Sequence, residues 1–488
     1  MRQTRGVTAP TAALVELAVA HGVATEYWDW QGEHVLVSSE VVAAVLAALG
    51  VDASTPERAS DALAEHRLAR WRRVLPATLV LREGWTPWFA VHLPHGSTAE
   101  VWLDLEDGGQ RRDIPQQERW VEPQFIDGVQ IGEATFQLPG DLPLGYHRLC
   151  ARIGTNPEIS VGTVIVTPQK LEPQKLRRTW GWVLQLYSVR SRRSWGIGDL
   201  HDLADLAAWS ANDLGAGFVL INPVHADETA GRMEPSPYLP ASRRFSNPLY
   251  LRIDHILGMF RLWWVTSPES PTEGTYVRYD HEALIGILVL EAARAGIVVV
   301  GEDLGTVEPW VRDYLTERGI LGTSVLWFER DADGHPLAPE RWRELCLATV
   351  TTHDLPPTAG YLAGDHVDLR DRLGLLTRPV AEELAVDEAD RDAWLNALRE
   401  RHLLGLADGD VERIVEALHR YVAHTPAKLV GVALTDAVGE RRTQNQPGTT
   451  DEYPNWRIPL GGPDGMPVML EDLPANHRLR RLIGTLSI

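Results

Sequence analysis

Apolar positions change rhythm twice along the chain. Up to about residue 70 they recur at helical spacing. Leu14, Val15, Leu17 and Val19 share one face of a short helix, and Val41, Val42, Val45, Leu46 and Leu49 share another that ends at Gly50. Residues 1–74 therefore read as a helical region. From 75 to 166 the apolar runs shorten: those at 78–81, 88–91, 101–105 and 164–166 are bounded by Gly, Pro and Asp. Short runs punctuated by turn residues predict a β-sandwich module over 75–166. Residues 167–179 hold Pro168 and Pro173, show no apolar period, and read as a linker.

After Trp180 the pattern becomes strand, loop, helix. Strands are expected at 183–186, 218–221, 251–254, 297–300, 324–328, 347–351 and 429–434, with helices at 200–209, 281–295 and 411–422. Alternation of this kind predicts an α/β fold with a parallel sheet. Polar residues just beyond several strands suggest a (β/α)8 TIM-type barrel over 180–488, because such barrels carry their chemistry at the C-terminal strand ends.

Composition narrows the function. The formal net charge of −20, from 47 basic and 67 acidic side chains, argues against nucleic acid or an anionic membrane as a partner. No apolar run reaches the roughly 18 residues of a membrane span, and the first 20 residues do not form a signal-peptide core. The only two cysteines, Cys150 and Cys346, make neither a disulfide framework nor a metal site and fit a reducing cytoplasm. Tryptophan outnumbers tyrosine and phenylalanine, 18 against 11 and 7. Most of these indoles are expected in cores, and the excess suits sugar stacking.

Three carboxylates end three apolar strands: Asp254 in Leu251-Arg252-Ile253-Asp254, Glu302 in Val299-Val300-Gly301-Glu302, and Asp354 after Thr351-Thr352-His353. In a closed barrel all three would face one mouth. Two carboxylates flanking a glycosidic bond supply a nucleophile and an acid/base, and a third can orient sugar hydroxyls. Arg252 shares the strand face of Asp254, and His353 adjoins Asp354. His281-Glu282 lacks the second histidine of a zinc motif, and no glycine-rich phosphate loop is present, so neither metal nor organic cofactor is expected.

These blocks resemble those of the bacterial 4-α-glucanotransferases (amylomaltase, disproportionating enzyme). Ser194-Trp195-Gly196-Ile197-Gly198-Asp199 is similar to the first barrel loop of that family. Ser236-Pro237-Tyr238 with Ser242-Arg243-Arg244-Phe245 is similar to a sugar-contacting loop. Phe260-Arg261-Leu262-Trp263-Trp264 and Asn445-Gln446-Pro447-Gly448-Thr449 with Asn455-Trp456 match further blocks. The N-terminal helices and sandwich resemble the extension of the longer members. The resemblance implies transfer of α-1,4-glucan segments between maltodextrin donors and acceptors by retaining double displacement. Asp254 is then the nucleophile, Glu302 the acid/base and Asp354 the transition-state stabiliser. Arg252 and His353 support the reacting sugar, and Ser236, Tyr238 and Asn445 bind other glucose units. An α-amylase-like hydrolase and a catalytically impaired glucan-binding remnant are the rival readings.

One feature departs from the family. Only 28 residues, 223–250, separate the second apolar strand from the Asp254 strand, and five of them are proline. Passing from the second barrel strand through a third to a fourth takes roughly 60 residues. A large internal segment is expected to be missing at Tyr250–Leu251. The consequences would be a breach in the barrel beside Asp254 and little disproportionation of maltotriose.

Overall fold

The structure, a computed structural model, describes residues 9–29, 32–172, 175–223, 236, 251–266, 272–406 and 408–486, with backbone alone for Leu251–Ile253. The chain divides into two compact units. The first comprises Met1–Leu171, Ile253–Val298 and Glu302–Gly319, and the second Glu172–Arg252, Val299–Gly301 and Ile320–Ile488.

The first unit begins with helices Ala12–Ala20, Ser39–Ala48 and Pro56–Ala69, whose N-caps Thr11, Ser38 and Thr55 each accept a first-turn N–H. Leu14 and Leu17 are buried as expected, but Val19 is 67% exposed. A small hairpin, Glu26–Trp28 with His34–Leu36, lies between the first two helices in a region that reads as mostly helical. Its three-residue strands are too short for alternation to register.

The sandwich has two sheets. One runs in the order Thr78–Arg82, Ile159–Thr167, Gly145–Ile153, Ala99–Asp104, Gln110–Arg111. The other joins Trp88–Pro94 to Val129–Gln137, which also pairs with Gln116–Gln117 and Gln124–Ile126. Leu149 lies opposite Leu103 and Ala151 opposite Val101. With Val91, Phe136, Leu138 and Val164 they form one buried core. Each fully buried leucine contributes on the order of 1.5–3 kcal/mol.

The same unit holds a hairpin, Arg261–Val265 with Gly274–Arg278, and helix His281–Ala295. The hairpin's Val277 joins the core of the N-terminal helices. Arg82, at the end of a sandwich strand, bonds Glu282 at 2.6 and 2.9 Å and Glu317 at 2.5 Å. Burial alone would raise the Glu282 pKa; the bonds from Arg82 and Tyr314 outweigh it and hold it low. The segment expected to be a linker is tied down at its start. Buried Arg318 donates to the Gln169 carbonyl at 2.9 Å, and the Leu171 N–H reaches the Arg318 carbonyl at 3.0 Å.

The second unit is built on parallel strands in the order Phe218–Leu220, Thr179–Val183, Leu429–Ala433, Cys346–Thr349, Gly322–Val325. A parallel bridge from Leu321 to Val300 leads to Val299–Gly301, which pairs in turn with Leu251–Ile253. The strand expected at 183–186 lies at Thr179–Val183, because the chain turns into a 3-10 helix at Leu186–Ser188. Helix Leu200–Leu214 starts on a reciprocal Asp199/Asp202 cap and ends at Gly215 in left-handed backbone.

Among the described residues the sheets do not form a closed eight-stranded barrel. Seven strands follow one another, and among the described residues nothing pairs with the outer side of Phe218–Leu220 or of Leu251–Ile253. Burial follows this order. Cys346–Thr349 and Gly322–Val325 are buried throughout, whereas all three residues of Phe218–Leu220 are half-buried. Among the described residues no helix is long and apolar enough to cross a membrane.

Candidate active site

Asp254 follows the strand Leu251–Ile253 directly, and Glu302 follows Val299–Gly301. Both residues belong to the first unit. Glu302 is held by backbone donors from the two strand ends. Its Oε2 accepts the His255 N–H at 2.8 Å and its Oε1 accepts the Leu304 N–H at 2.6 Å. Its own carbonyl accepts the Ile256 N–H at 3.0 Å. The residues after Asp254 are thus fastened to Glu302, and the Glu302 side chain is only 12% exposed.

In the second unit Asp354 sits just past the strand Cys346–Thr349. Asn445 Nδ2 donates to Asp354 Oδ1 at 2.7 Å, and His353 Nε2 lies 3.1 Å from Asp354 Oδ2. The His353 ring packs on Trp456 at 5.9 Å between centroids. The loop carrying Asn445 is held from below by buried Asn455. Asn455 Oδ1 accepts the Gln446 N–H at 2.7 Å, and its Nδ2 reaches Thr449 Oγ1 at 2.8 Å. Asn445-Gln446-Pro447-Gly448-Thr449 and Asn455-Trp456, separate in sequence, are therefore one structure. A small cavity of about 30 Å³ opens at the C-terminal ends of Thr179–Val183, Cys346–Thr349 and Leu429–Ala433, and Gln185, Thr352, His353, Thr435 and Gln444 line it. That is the end of a parallel sheet where ligands bind.

The remaining expected residues are less fully placed. Ser236 is half-buried. Tyr238 lies outside the described residues, as does the side chain of Arg252. Backbone strain adds a signal absent from the sequence. Four non-glycine residues among those described adopt left-handed φ: Asp127, His255, His402 and Trp456. Two of the four, at φ 50° and 60°, are His255 beside Asp254 and Trp456 beneath His353. Such strain concentrates at functional sites. Sequence reasoning also missed Gln185 and Gln444, of which Gln444 accepts from the Tyr187 hydroxyl at 3.1 Å. One trio with metal-ligand chemistry, Asp331, Asp333 and His335, occurs among the described residues. Its Asp331 Oδ1 is already taken up by the N–H groups of Asp333 and His335, at 3.0 and 2.9 Å.

Comparison with known proteins extends this picture. Residues 184–252 and 249–463 match the family model Glyco_hydro_77, described as 4-alpha-glucanotransferase, and residues 74–168 match the MalQ N-terminal beta sandwich domain. The 4-alpha-glucanotransferase of Mycobacterium tuberculosis strain H37Rv is 42% identical over 707 aligned positions, which cover 96% of this chain and 97% of that protein. The Haemophilus influenzae 4-alpha-glucanotransferase is 34% identical over 221 positions, covering 44% of this chain and 32% of that protein. The crystal structure of amylomaltase from Corynebacterium glutamicum superposes with a TM-score of 0.90 at 33% identity, covering 97% of this chain and 99% of that one.

The break expected in the sequence is visible here. The family model matches in two pieces that meet at 249–252. Since 96% of 488 residues is about 468, about 240 of the 707 aligned positions have no counterpart in this chain. The family-model match over 184–252 and 249–463, with 42% identity across 97% of a curated relative, assigns the chain: it belongs to the 4-alpha-glucanotransferase family and is an enzyme of that type.

Proposed function

We infer that the chain moves α-1,4-glucan segments between maltodextrins by retaining double displacement. Asp254 attacks the anomeric carbon. The bond from that carbon to the glycosidic oxygen breaks, and Glu302 gives the departing 4-oxygen its proton. Glu302 then takes the proton from the 4-hydroxyl of an acceptor glucan. That oxygen attacks the same carbon and releases the Asp254 carboxylate. Two inversions leave the linkage α. Asp354 steadies the positively charged transition state. Arg252 and His353 support the reacting sugar, and Ser236, Tyr238 and Asn445 bind neighbouring glucose units.

The observation that carries this reading is the grip of Glu302 on the His255 N–H, one residue past Asp254, at 2.8 Å. It couples the proposed acid/base to the backbone beside the proposed nucleophile through one short hydrogen bond rather than through flexible side chains. Each Glu302 oxygen keeps a second lone pair for the proton it must carry. The strand order and the half-buried edge at Phe218–Leu220 support a finer reading of the fold, a (β/α) barrel lacking its third strand. Cys150 and Cys346, both buried and held apart on different strands, fit work in the cytoplasm.

Incubation with maltotriose tests the function. Transfer yields glucose together with maltodextrins longer than the substrate. Glucose and maltose without longer products would mean a hydrolase. No product, even at high enzyme concentration, would mean a remnant.

A further inference from the structure

One deeply buried carboxylate of the second unit plays no part in the chemistry proposed above. Asp436 lies in the short helix Leu434–Val438, directly after the strand Leu429–Ala433, and its side chain is fully buried. Burial pushes its pKa up, opposed by His419 and by bonds from Thr358. Burying such a group costs stability unless hydrogen bonds and nearby charge offset the lost hydration.

Its partners lie at the exit of the loop that carries Asp354. The Thr358 N–H donates to Asp436 Oδ1 at 2.7 Å and the Thr358 hydroxyl to Oδ2 at 2.6 Å. Thr358 opens the helix Thr358–Leu362, whose N-cap, Pro357, provides no side-chain cap. A first-turn N–H without a local acceptor needs a partner, and Asp436 supplies it from 78 residues away. His419 stands beside the carboxylate. Its Nδ1 donates to the Val415 carbonyl at 2.9 Å, and its Nε2 lies 3.5 Å from Asp436 Oδ2, without a hydrogen bond. Gly360 shows how closely the two segments are pressed together, since a Cβ there would sit 2.3 Å from the Arg441 carbonyl oxygen.

The loop between is short and stiff. The Thr351 hydroxyl donates to the Pro356 carbonyl at 3.0 Å, and Pro356 and Pro357 follow each other. Asp354 stands four residues before Thr358, and Asn445, nine residues after Asp436, holds its carboxylate. The segment after Leu429–Ala433 therefore grips the Asp354 loop twice, once at its carboxylate and once at its far end.

We propose that Asp436, beside His419, is a positioning residue for glucan transfer: it anchors Thr358 and so fixes the loop that presents Asp354. The proposal rests on the role given to Asp354. It differs from general stabilisation in one respect, because its effect must pass through Asp354.

The test uses the full chain, with α-maltosyl fluoride as donor and maltotriose as acceptor. Asp436→Ala should lower kcat by about 10- to 100-fold and change KM by less than about threefold, because Asp354 acts mainly in the transition state. Asp436→Asn, which keeps an acceptor for the Thr358 N–H, should recover part of the loss. In an Asp354→Asn background, Asp436→Ala should cost almost nothing further. Additive losses, or an Asp436→Ala kcat within about twofold of the parent, would overturn the proposal. Where Asp436→Ala does not fold, Thr358→Val removes the hydroxyl alone and is held to the same criteria. Hydrogen exchange read by mass spectrometry gives an answer independent of turnover. Amides of 352–362 should exchange faster in the Asp436 variants while those of the sandwich stay unchanged, and unchanged exchange in 352–362 would equally overturn the proposal. Full turnover in Asp354→Asn would instead overturn the site assignment and leave the exchange result to decide whether Asp436 holds the loop.

Discussion

Among the described residues the β-sandwich and the parallel sheet differ in how far their strands run and pair. In the sandwich the long strands Val129–Gln137, Gly145–Ile153 and Ile159–Thr167 pair along their length and enclose one apolar core. The parallel sheet ends in two three-residue strands, Phe218–Leu220 and Leu251–Ile253, and among the described residues neither has an outer partner. The stretch missing relative to the family falls between these two strands, at 249–252. The sandwich carries none of the proposed chemistry. The parallel sheet carries Asp354 and leads directly into Asp254, one residue past Leu251–Ile253. Stability and catalysis are therefore separable here, which gives ways to challenge the contrast.

The largest effect is expected at the edge strand. Asp254→Asn should lower turnover by about 10^4-fold or more while leaving the thermal transition nearly in place, because a strand-end carboxylate contributes chemistry rather than core. In Asp254→Ala, azide should restore cleavage of a fluoride donor and yield the β-glycosyl azide, the product of a single inversion. Full turnover in Asp254→Asn would sink the nucleophile assignment.

Next comes the acid/base. Glu302→Gln should slow transfer from maltotriose by about 10^2- to 10^4-fold, but transfer from a fluoride donor far less, since fluoride leaves without a proton. Equal losses on both donors would remove Glu302 from that role. Completion of the sheet should act in the other direction. Insertion of the relatives' segment between Tyr250 and Leu251 should raise maltotriose disproportionation by about 100-fold, the scale of a 1 Å error in catalytic geometry. It should also reduce aggregation, because exposed strand edges recruit other chains. An unchanged rate would mean that the missing segment does not limit the site.

How much of this was legible beforehand depended on the range of the interaction that decided each feature. Helix His281–Ala295 and strand Leu429–Ala433 were readable because periodicity and flanking turn residues determine them locally. The strands that precede Asp254, Glu302 and Asp354 were readable because each is a short apolar run ended by polar residues. The break at Tyr250–Leu251 was readable because chain length sets how many strands fit. The strand at Thr179–Val183 was misplaced by a few residues because Leu184 and Leu186 continue the apolar run past the turn. The hairpin Arg261–Val265 with Gly274–Arg278 was missed because its apolar run read as a motif rather than as a strand. The Asp436–Thr358 anchor and the strained backbone at His255 and Trp456 were out of reach, since they depend on partners distant in sequence or on dihedral angles that no residue type announces.

The smallest effects measure the contrast itself. Leu149 in the sandwich and Leu220 in the edge strand are both strand leucines, but Leu149 is fully buried opposite Leu103 whereas Leu220 is half-buried. Truncating a buried leucine costs the transfer energy of the lost methyl groups plus the cavity left behind, about 2–5 kcal/mol. At a half-buried position solvent already reaches part of the side chain and neighbours can close in, so the cost should be under about 1.5 kcal/mol. Chemical denaturation of Leu149→Ala and Leu220→Ala, followed through the transition each residue reports on, should show this gap. In the chain with the inserted segment, Leu220 gains an outer partner strand, and Leu220→Ala should then cost nearly as much as Leu149→Ala. Equal costs in the chain as it stands would show that the edge strand is covered and the sheet already complete.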